Sequence, residues 1–415
     1  MKRLIAIFLI LFLLPTAACS ASRSTPRDYP ESAAVDPVPL DFTVPEIASY
    51  EGFAYTVSAA LLDGKDNRNF SPISAYYALA MAAEGANGQT LADLLHLLGC
   101  PDLDTLHAGT GNMITKLSRK AGTGEIALCN SLWMSDVFPL SESYRNSLAE
   151  HYRAVAETVP FGTIKAGKRI AAWIADKTNG LITPAPETMQ FDDLTLAVLL
   201  NTVYFRDQWA WRFYESENKP GTFTRADGTE TDVDFMHHLL KDAYVYRGDG
   251  FLRYSLPFES RGYMTFVLPD EGIALDTLLG TPEKLQTLLE SGERMDADVD
   301  LLLPKFSISD QFELQDVLCS LGLTDAFTNN ADFSGMSDMQ PRLDRVFQET
   351  VLKLNELGVE AAAYTSIDVP AAAAPWDAEP TPLPLIEFHL DRPFLFILYA
   401  GSVPLFIGTV ENPIP

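Results

Sequence analysis

Basic residues are scarce in this sequence: 30 Lys and Arg stand against 56 Asp and Glu, a formal net charge of −26. So acidic a surface repels phosphate backbones, which excludes nucleic acid as a partner. Cysteine is scarcer still. Cys19 lies near the N-terminus, and the rest, Cys100, Cys129 and Cys319, are odd in number and widely spaced. That excludes a disulfide framework, and no CxxC pair offers a metal site. Cys129 and Cys319 sit in apolar segments and are expected to be small buried thiols. The motifs of common catalytic sites are missing too: no GxSxG elbow, no P-loop and no HExxH. The His237-His238 pair has no partners at ligand spacing and is read as surface or strand edge. No nucleophile–base constellation, cofactor site or metal site emerges, which argues against a hydrolase.

What is present begins with an export signal over residues 1–18. Lys2 and Arg3 form its basic start, residues 4–14 its apolar run, and Thr16-Ala17-Ala18-Cys19 its end. The run is too short to span a bilayer as a helix. Cys19 directly after small residues resembles a bacterial lipoprotein signal, in which that cysteine is lipidated and anchors the protein to a membrane. Thr16 departs from the leucine usual three residues before such a cysteine, so plain secretion is the alternative. Residues 19–44, with Pro26, Pro30, Pro37 and Pro39, have the composition of a tether. The folded domain is expected over 45–415, without internal repeats.

Helix signals crowd its first half. Ser71-Pro72 reads as a helix start, with the Ser71 side chain accepting from free backbone N–H groups, and the helix runs over 75–83 to Gly85. Leu91, Leu94, Leu95 and Leu98 follow helical spacing, and residues 141–155 and 168–178 read alike. Thr281 opens a later helix over 282–289. Strands are expected at 194–205, a near-continuous apolar run that suggests cover on both faces, and at 299–303, 345–355, 394–399 and 405–410. Helices first and strands later, without βαβ alternation, give an α+β fold class around large sheets.

Ordered motifs then carry a resemblance. They are Asn69-Phe70-Ser71-Pro72-Ile73-Ser74 with Gly85-Ala86-Asn87-Gly88-Gln89-Thr90, Thr178-Asn179-Gly180-Leu181-Ile182, Leu200-Asn201-Thr202-Val203-Tyr204-Phe205 with Trp209, Leu303-Pro304-Lys305-Phe306, Ala331-Asp332-Phe333-Ser334-Gly335-Met336, Arg392-Pro393-Phe394-Leu395-Phe396, and Pro404-Leu405-Phe406-Ile407-Gly408. In this order and spacing they resemble the serpin family, here an exported, bacterial-type member. The resemblance implies the serpin fold: N-terminal helices on large mixed and antiparallel sheets, with an exposed reactive loop. Trp209, Lys305 and Glu356 match positions at the top of the main sheet, where the loop enters. Ser71, Ser74 and Asn201 match a polar cluster that lets strands part, and Gln348 falls where many serpins carry a histidine.

The segment Glu356-Leu357-Gly358-Val359-Glu360-Ala361-Ala362-Ala363-Tyr364-Thr365-Ser366-Ile367-Asp368-Val369 resembles the serpin hinge and the start of the reactive loop. Its alternation is that of a half-buried strand. Val359, Ala361, Ala363, Thr365, Ile367 and Val369 carry no charge, while Glu360 and Asp368 fall in the other set. No proline interrupts 358–369, where one would remove a ladder hydrogen bond. The resemblance implies a monomeric suicide-substrate inhibitor of serine proteases, and also of papain-like cysteine proteases, that needs no cofactor and supplies no catalytic residue. Its usual spacing from the hinge places the reactive bond at Ala372–Ala373, with Ala371–Ala372 and Ala373–Ala374 as the neighbouring alternatives. The small donor residue suits elastase-like or subtilisin-like targets. The loop is longer than usual, with the excess at 375–380. Val359→Arg is expected to turn inhibitor into substrate. The alternative is a non-inhibitory serpin-fold binding or carrier protein, cleaved without trapping.

Overall fold

A computed structural model describes residues 44–413 except 190, 194, 261, 340, 344, 345 and 360–381. The leader, Cys19, the tether up to residue 43, the hinge residues from Glu360 through Thr365 and the Ala372–Ala373 bond therefore lie outside the described residues. The helices are α1 (Val44–Leu61), α2 (Pro72–Ala83), α3 (Gly88–Leu97), α4 (Leu103–Leu117), α5 (Glu142–Tyr152), α6 (Ile164–Lys177), α7 (Leu275–Leu278), α8 (Pro282–Glu290) and α9 (Gln315–Ser320). The strands are β1 (Arg68–Phe70), β2 (Arg119–Ala121), β3 (Gly124–Met134), β4 (Val155–Thr158), β5 (Ala197–Gln208), β6 (Lys219–Thr224), β7 (Glu230–Gly248), β8 (Phe251–Pro257), β9 (Gly262–Pro269), β10 (Glu293–Pro304), β11 (Phe306–Glu313), β12 (Phe347–Asn355), β13 (Gly358–Val359), β14 (Leu385–His389), β15 (Phe394–Ala400) and β16 (Val403–Val410).

The strands form two sheets. One runs β1-β16-β15-β9-β8-β7-β10-β14, with β6 beside β7; the other, the main sheet here, runs β11-β12-β13-β5-β3-β2, with β4 beside β3. Among the described residues no helix is long and apolar enough to cross a membrane. Buried on nearly every side, α2 is the central helix, as expected of one apolar all round. The apolar run of β5 feeds two cores: Val203 and Phe205 join the large cluster that includes α2, while Leu200 joins the cluster around Trp133, Ile170 and Trp173. That explains why its sequence does not alternate. The same holds for β15, where Phe394 and Phe396 face the large cluster and Leu395 and Ile397 face a second.

The structure departs from the sequence reading in places. β3 falls among the early helices, so helices and strands are less segregated along the chain than expected, though the α+β class stands. Ser71 precedes α2, but its side chain makes no cap; its Oγ donates to the Leu405 carbonyl at 2.9 Å and ties the helix to β16. The buried thiol is Cys100, while Cys129 and Cys319 are only half-buried, and all three are free. Cys129 lies where β3 is only partly covered, and Cys319 closes a short surface helix. His237, inside the wide strand β7, has its Nε2 2.7 Å from Asp300 Oδ1, and His389 reaches the other oxygen at 3.1 Å.

Candidate functional site: a parted sheet beside a seated hinge

Tight constraint at Glu356–Val359 sets this site. Gly358 has φ 146°, and a Cβ there would lie 2.1 Å from the Asp207 carbonyl oxygen and 2.8 Å from the Gln208 Cα. Only glycine fits so close to a neighbouring backbone. Gly358 and Val359 form β13, inserted between two strands and antiparallel to both. Val359 pairs with Asp207 on β5 and with Leu354 on β12. The Val359 side chain is buried. The hinge is thus already seated at one end of the sheet.

Three anchors hold it. The Trp209 indole is buried, stacks on Phe258 at 4.6 Å, and donates from Nε1 to the Asn355 carbonyl at 3.0 Å. The Trp209 backbone N–H donates to the Leu357 carbonyl at 3.0 Å. Lys305 Nζ meets Glu356 Oε1 at 2.8 Å and Asp234 at 3.5 Å, and Asn218 Nδ2 donates to the same Glu356 oxygen at 2.8 Å. Burial alone would raise the Glu356 carboxyl, but the hydrogen bonds from Lys305 and Asn218 outweigh it and hold it below the usual range. The bond to Glu356 raises Lys305 in turn.

Away from the hinge the sheet is parted. Among the described residues no ladder joins β5 to β12 directly; β13 alone links them. A cavity of about 480 Å³ opens there, lined by Ser74, Ala78 and Leu79 of α2, Leu132 of β3, Leu199 of β5 and Gln348 of β12. The polar cluster sits in its wall. Gln348 clasps the Ser71 backbone at both ends: Ser71 N–H donates to Oε1 at 2.9 Å, and Nε2 donates to the Ser71 carbonyl at 2.8 Å. Ser74 Oγ donates to the Asn201 carbonyl at 3.3 Å. Asn201 Nδ2 donates to Asn130 Oδ1 at 2.8 Å, whereas Asn201 Oδ1 is buried with no hydrogen-bond partner among the described residues. Such an oxygen is costly unless something arrives to meet it.

The structure thus brings Glu356, Gly358, Val359, Trp209 and Lys305 together at the hinge, and Ser74, Asn201 and Gln348 together along the cavity, with Ser71 bonded to Gln348. Sequence reasoning missed Asn130, Asn218, Asp234 and Asp207. Nothing in the sequence marks the first three, since their partners are 71, 138 and 71 residues away. Asp207 had a visible signal: one acid closing an apolar strand.

Fold and site together define an α+β protein whose main sheet is parted beside a hinge. Comparison with known proteins agrees. The profile of the family Serpin (serine protease inhibitor) matches residues 48–413. Serpin-Z1C of Triticum aestivum is 30% identical over 387 residues, 87% of this chain and 94% of its own. A serpin-like protein of Thermococcus kodakarensis is 31% identical over 386 residues, 89% of this chain and 86% of its own. Among solved structures, the thermophilic serpin tengpin in its native state matches with a TM-score of 0.76 at 27% identity, covering 92% of this chain and 97% of that one. Thyroxine-binding globulin in complex with thyroxine shares the fold at 24% identity, with a TM-score of 0.72 over 89% of this chain and 100% of its own. The chain belongs to the serpin family.

Proposed function

We propose that this serpin is a monomeric suicide-substrate inhibitor of serine proteases, with elastase-like or subtilisin-like enzymes as targets. The observation that carries the reading is the hinge seated in a parted sheet above a cavity. The protease serine Oγ attacks the Ala372 carbonyl, the Ala372–Ala373 bond breaks, and the Ala373 amine leaves with a proton. An ester now joins the protease to Ala372. The freed loop continues β13 as a strand between β5 and β12 and carries the protease with it; the ester then outlasts the distorted active site. A cysteine protease would form the corresponding thioester.

With the two registers of β13 continued, each inserting residue has defined neighbours on β5 and β12. Ala361 falls between Phe205 and Leu352, and Ala363 between Val203 and Thr350. Thr365 falls between Asn201 and Gln348, where its hydroxyl is in reach of the unpartnered Asn201 oxygen. On the opposite face Glu360 falls between Arg206 and Lys353, two cations. Strand addition with alternate side chains read by alternate faces is a known mode of recognition. On the same reading the leader exports the protein, and Cys19, once lipidated, tethers it to a membrane.

The test is incubation of the protein lacking its leader with elastase-like and subtilisin-like proteases, followed by denaturing electrophoresis and mass spectrometry. A covalent band and a released peptide beginning at Ala373 are expected. A clean digest with the protease still active, across a broad panel, would replace this reading by that of a non-inhibitory binding or carrier protein.

A further inference from the structure

Asp207 is an acid where the hinge needs apolar cover. Its side chain is 2% exposed, and Val359 stands directly across from it on the same face of the sheet. Its Oδ1 accepts from the Thr123 hydroxyl at 3.1 Å and the Gln208 N–H at 2.9 Å, its Oδ2 accepts from the Ser260 N–H at 3.2 Å, and the Ser260 side chain donates to the carboxyl as well. Gly124 leaves room for this nest, since a Cβ there would lie 2.9 Å from Asp207 Oδ2 and 2.5 Å from Ser260 Oγ.

The Thr123 hydroxyl cannot serve both nearby acids while both are charged. Thr123 Oγ1 lies 3.1 Å from Asp207 Oδ1 and also 2.7 Å from Glu259 Oε2. A hydroxyl has one proton to donate. With two carboxylates, one of them faces a lone pair. With one added proton, the protonated carboxyl donates to Thr123, Thr123 donates to the other carboxylate, and the chain is complete.

We propose that Asp207, Thr123 and Glu259 form a proton-dependent positioning device for the hinge, which seats Gly358–Val359 when one proton is shared among them and loosens that seat when it is lost. Asp207 does not touch a protease; it acts through Val359. Burial pushes its carboxyl up to about 6, against the pull of the Gln208, Thr123 and Ser260 hydrogen bonds. The other charged groups on the elements packed around it are Glu259 on the turn after β8, Glu125 on β3 with Lys120 and Arg206 beside it, and, across β13, Glu356 with Lys305. Arg261 lies outside the described residues.

The sign follows from linkage. A carboxyl raised in the seated state favours that state below the ordinary value near 3.8, and the advantage is lost as pH rises through about 6. Seating is therefore stronger in mildly acidic than in neutral medium. The device matters for inhibition only through the function proposed above. Its test, however, uses intact protein without protease, so the two can fail separately.

Hydrogen exchange of Gly358 and Val359, corrected for intrinsic rates, is compared between pH 5 and pH 7.5 (both chosen to bracket about 6). About tenfold greater protection at pH 5 is expected, equivalent to roughly one pKa unit of coupling. Asp207→Asn should keep the hinge protected at both pH values. Glu259→Gln, a change on an exposed turn, should move the midpoint to lower pH by freeing the Thr123 hydroxyl to donate to Asp207. Equal protection of the unmodified protein at both pH values would overturn the proposal, as would an unaltered profile in Asp207→Asn. Should that variant not fold, an unmoved midpoint in Glu259→Gln would do the same.

Discussion

Val359→Glu should abolish protease trapping while leaving cleavage intact. Val359 is 3% exposed, and it pairs with Leu354 on one side and Asp207 on the other. A carboxylate there would be buried beside another acid. An uncompensated buried charge costs about 3–5 kcal/mol; it expels the hinge from its seat, and re-entry against that cost slows insertion roughly 150- to 5000-fold. Deacylation then wins, and the protease is released with the serpin cut. The structure also revises the substitution that the hinge sequence alone nominates. In Val359→Arg the guanidinium faces the Asp207 carboxylate and finds a counter-ion, so trapping should survive better than in Val359→Glu. The number of serpin molecules consumed per protease inhibited measures both. Equal stoichiometry for Val359→Glu and the unmodified protein would contradict the hinge assignment.

Trp209→Ala should be among the most damaging single changes to the intact fold. The indole is 2% exposed, stacks on Phe258 and meets Phe213 edge-on at 6.2 Å. Truncating a buried tryptophan costs about 3–5 kcal/mol through lost transfer energy and the cavity left behind. It also strands the Asn355 carbonyl, which accepts from Nε1 and belongs to the strand that pairs with the hinge. Trp209→Phe keeps most of the packing and loses the hydrogen bond, so it should cost clearly less. Denaturant unfolding separates the two variants. A loss under about 1 kcal/mol for Trp209→Ala would mean that the anchor is not structural.

Much of this arrangement was legible in the sequence, for physical reasons that differ by element. β5 announced itself because both of its faces are buried, which leaves a continuous apolar run. α8 was visible because Thr281 and Pro282 combine a cap with a residue that needs no N–H; the Thr281 side chain accepts from the Lys284 N–H. α4 was hidden. Gly109 and Gly111 lower its helix propensity, and what holds it is a cap on Asp102 together with buried Leu106, Met113 and Leu117. β7 was hidden for a different reason: it is long, and only part of it is covered, so its polar residues mask the strand period.

The site divides the same way. The hinge was readable because a segment that must fit a sheet carries alternation and lacks proline whether or not it is yet in the sheet. The wall of the cavity was not. Gln348 grips a backbone 277 residues away, and no local pattern signals such a contact. Asp207 is the instructive case. Along the chain the acid closing an apolar strand is visible but looks like a strand end turning to solvent; the pairing with Val359 shows it buried beneath an apolar hinge.

What remains decisive is whether the opening between β5 and β12 is a vacancy awaiting residues 360–369. Limited proteolysis at the reactive bond, followed by thermal melting of cut and uncut protein, addresses this most directly. If the freed segment becomes the missing central strand, the cut protein melts well above the uncut one and the amides of β5 and β12 exchange more slowly. If cut and uncut protein melt together and those amides are unchanged, no strand has been gained and the inhibitor reading falls.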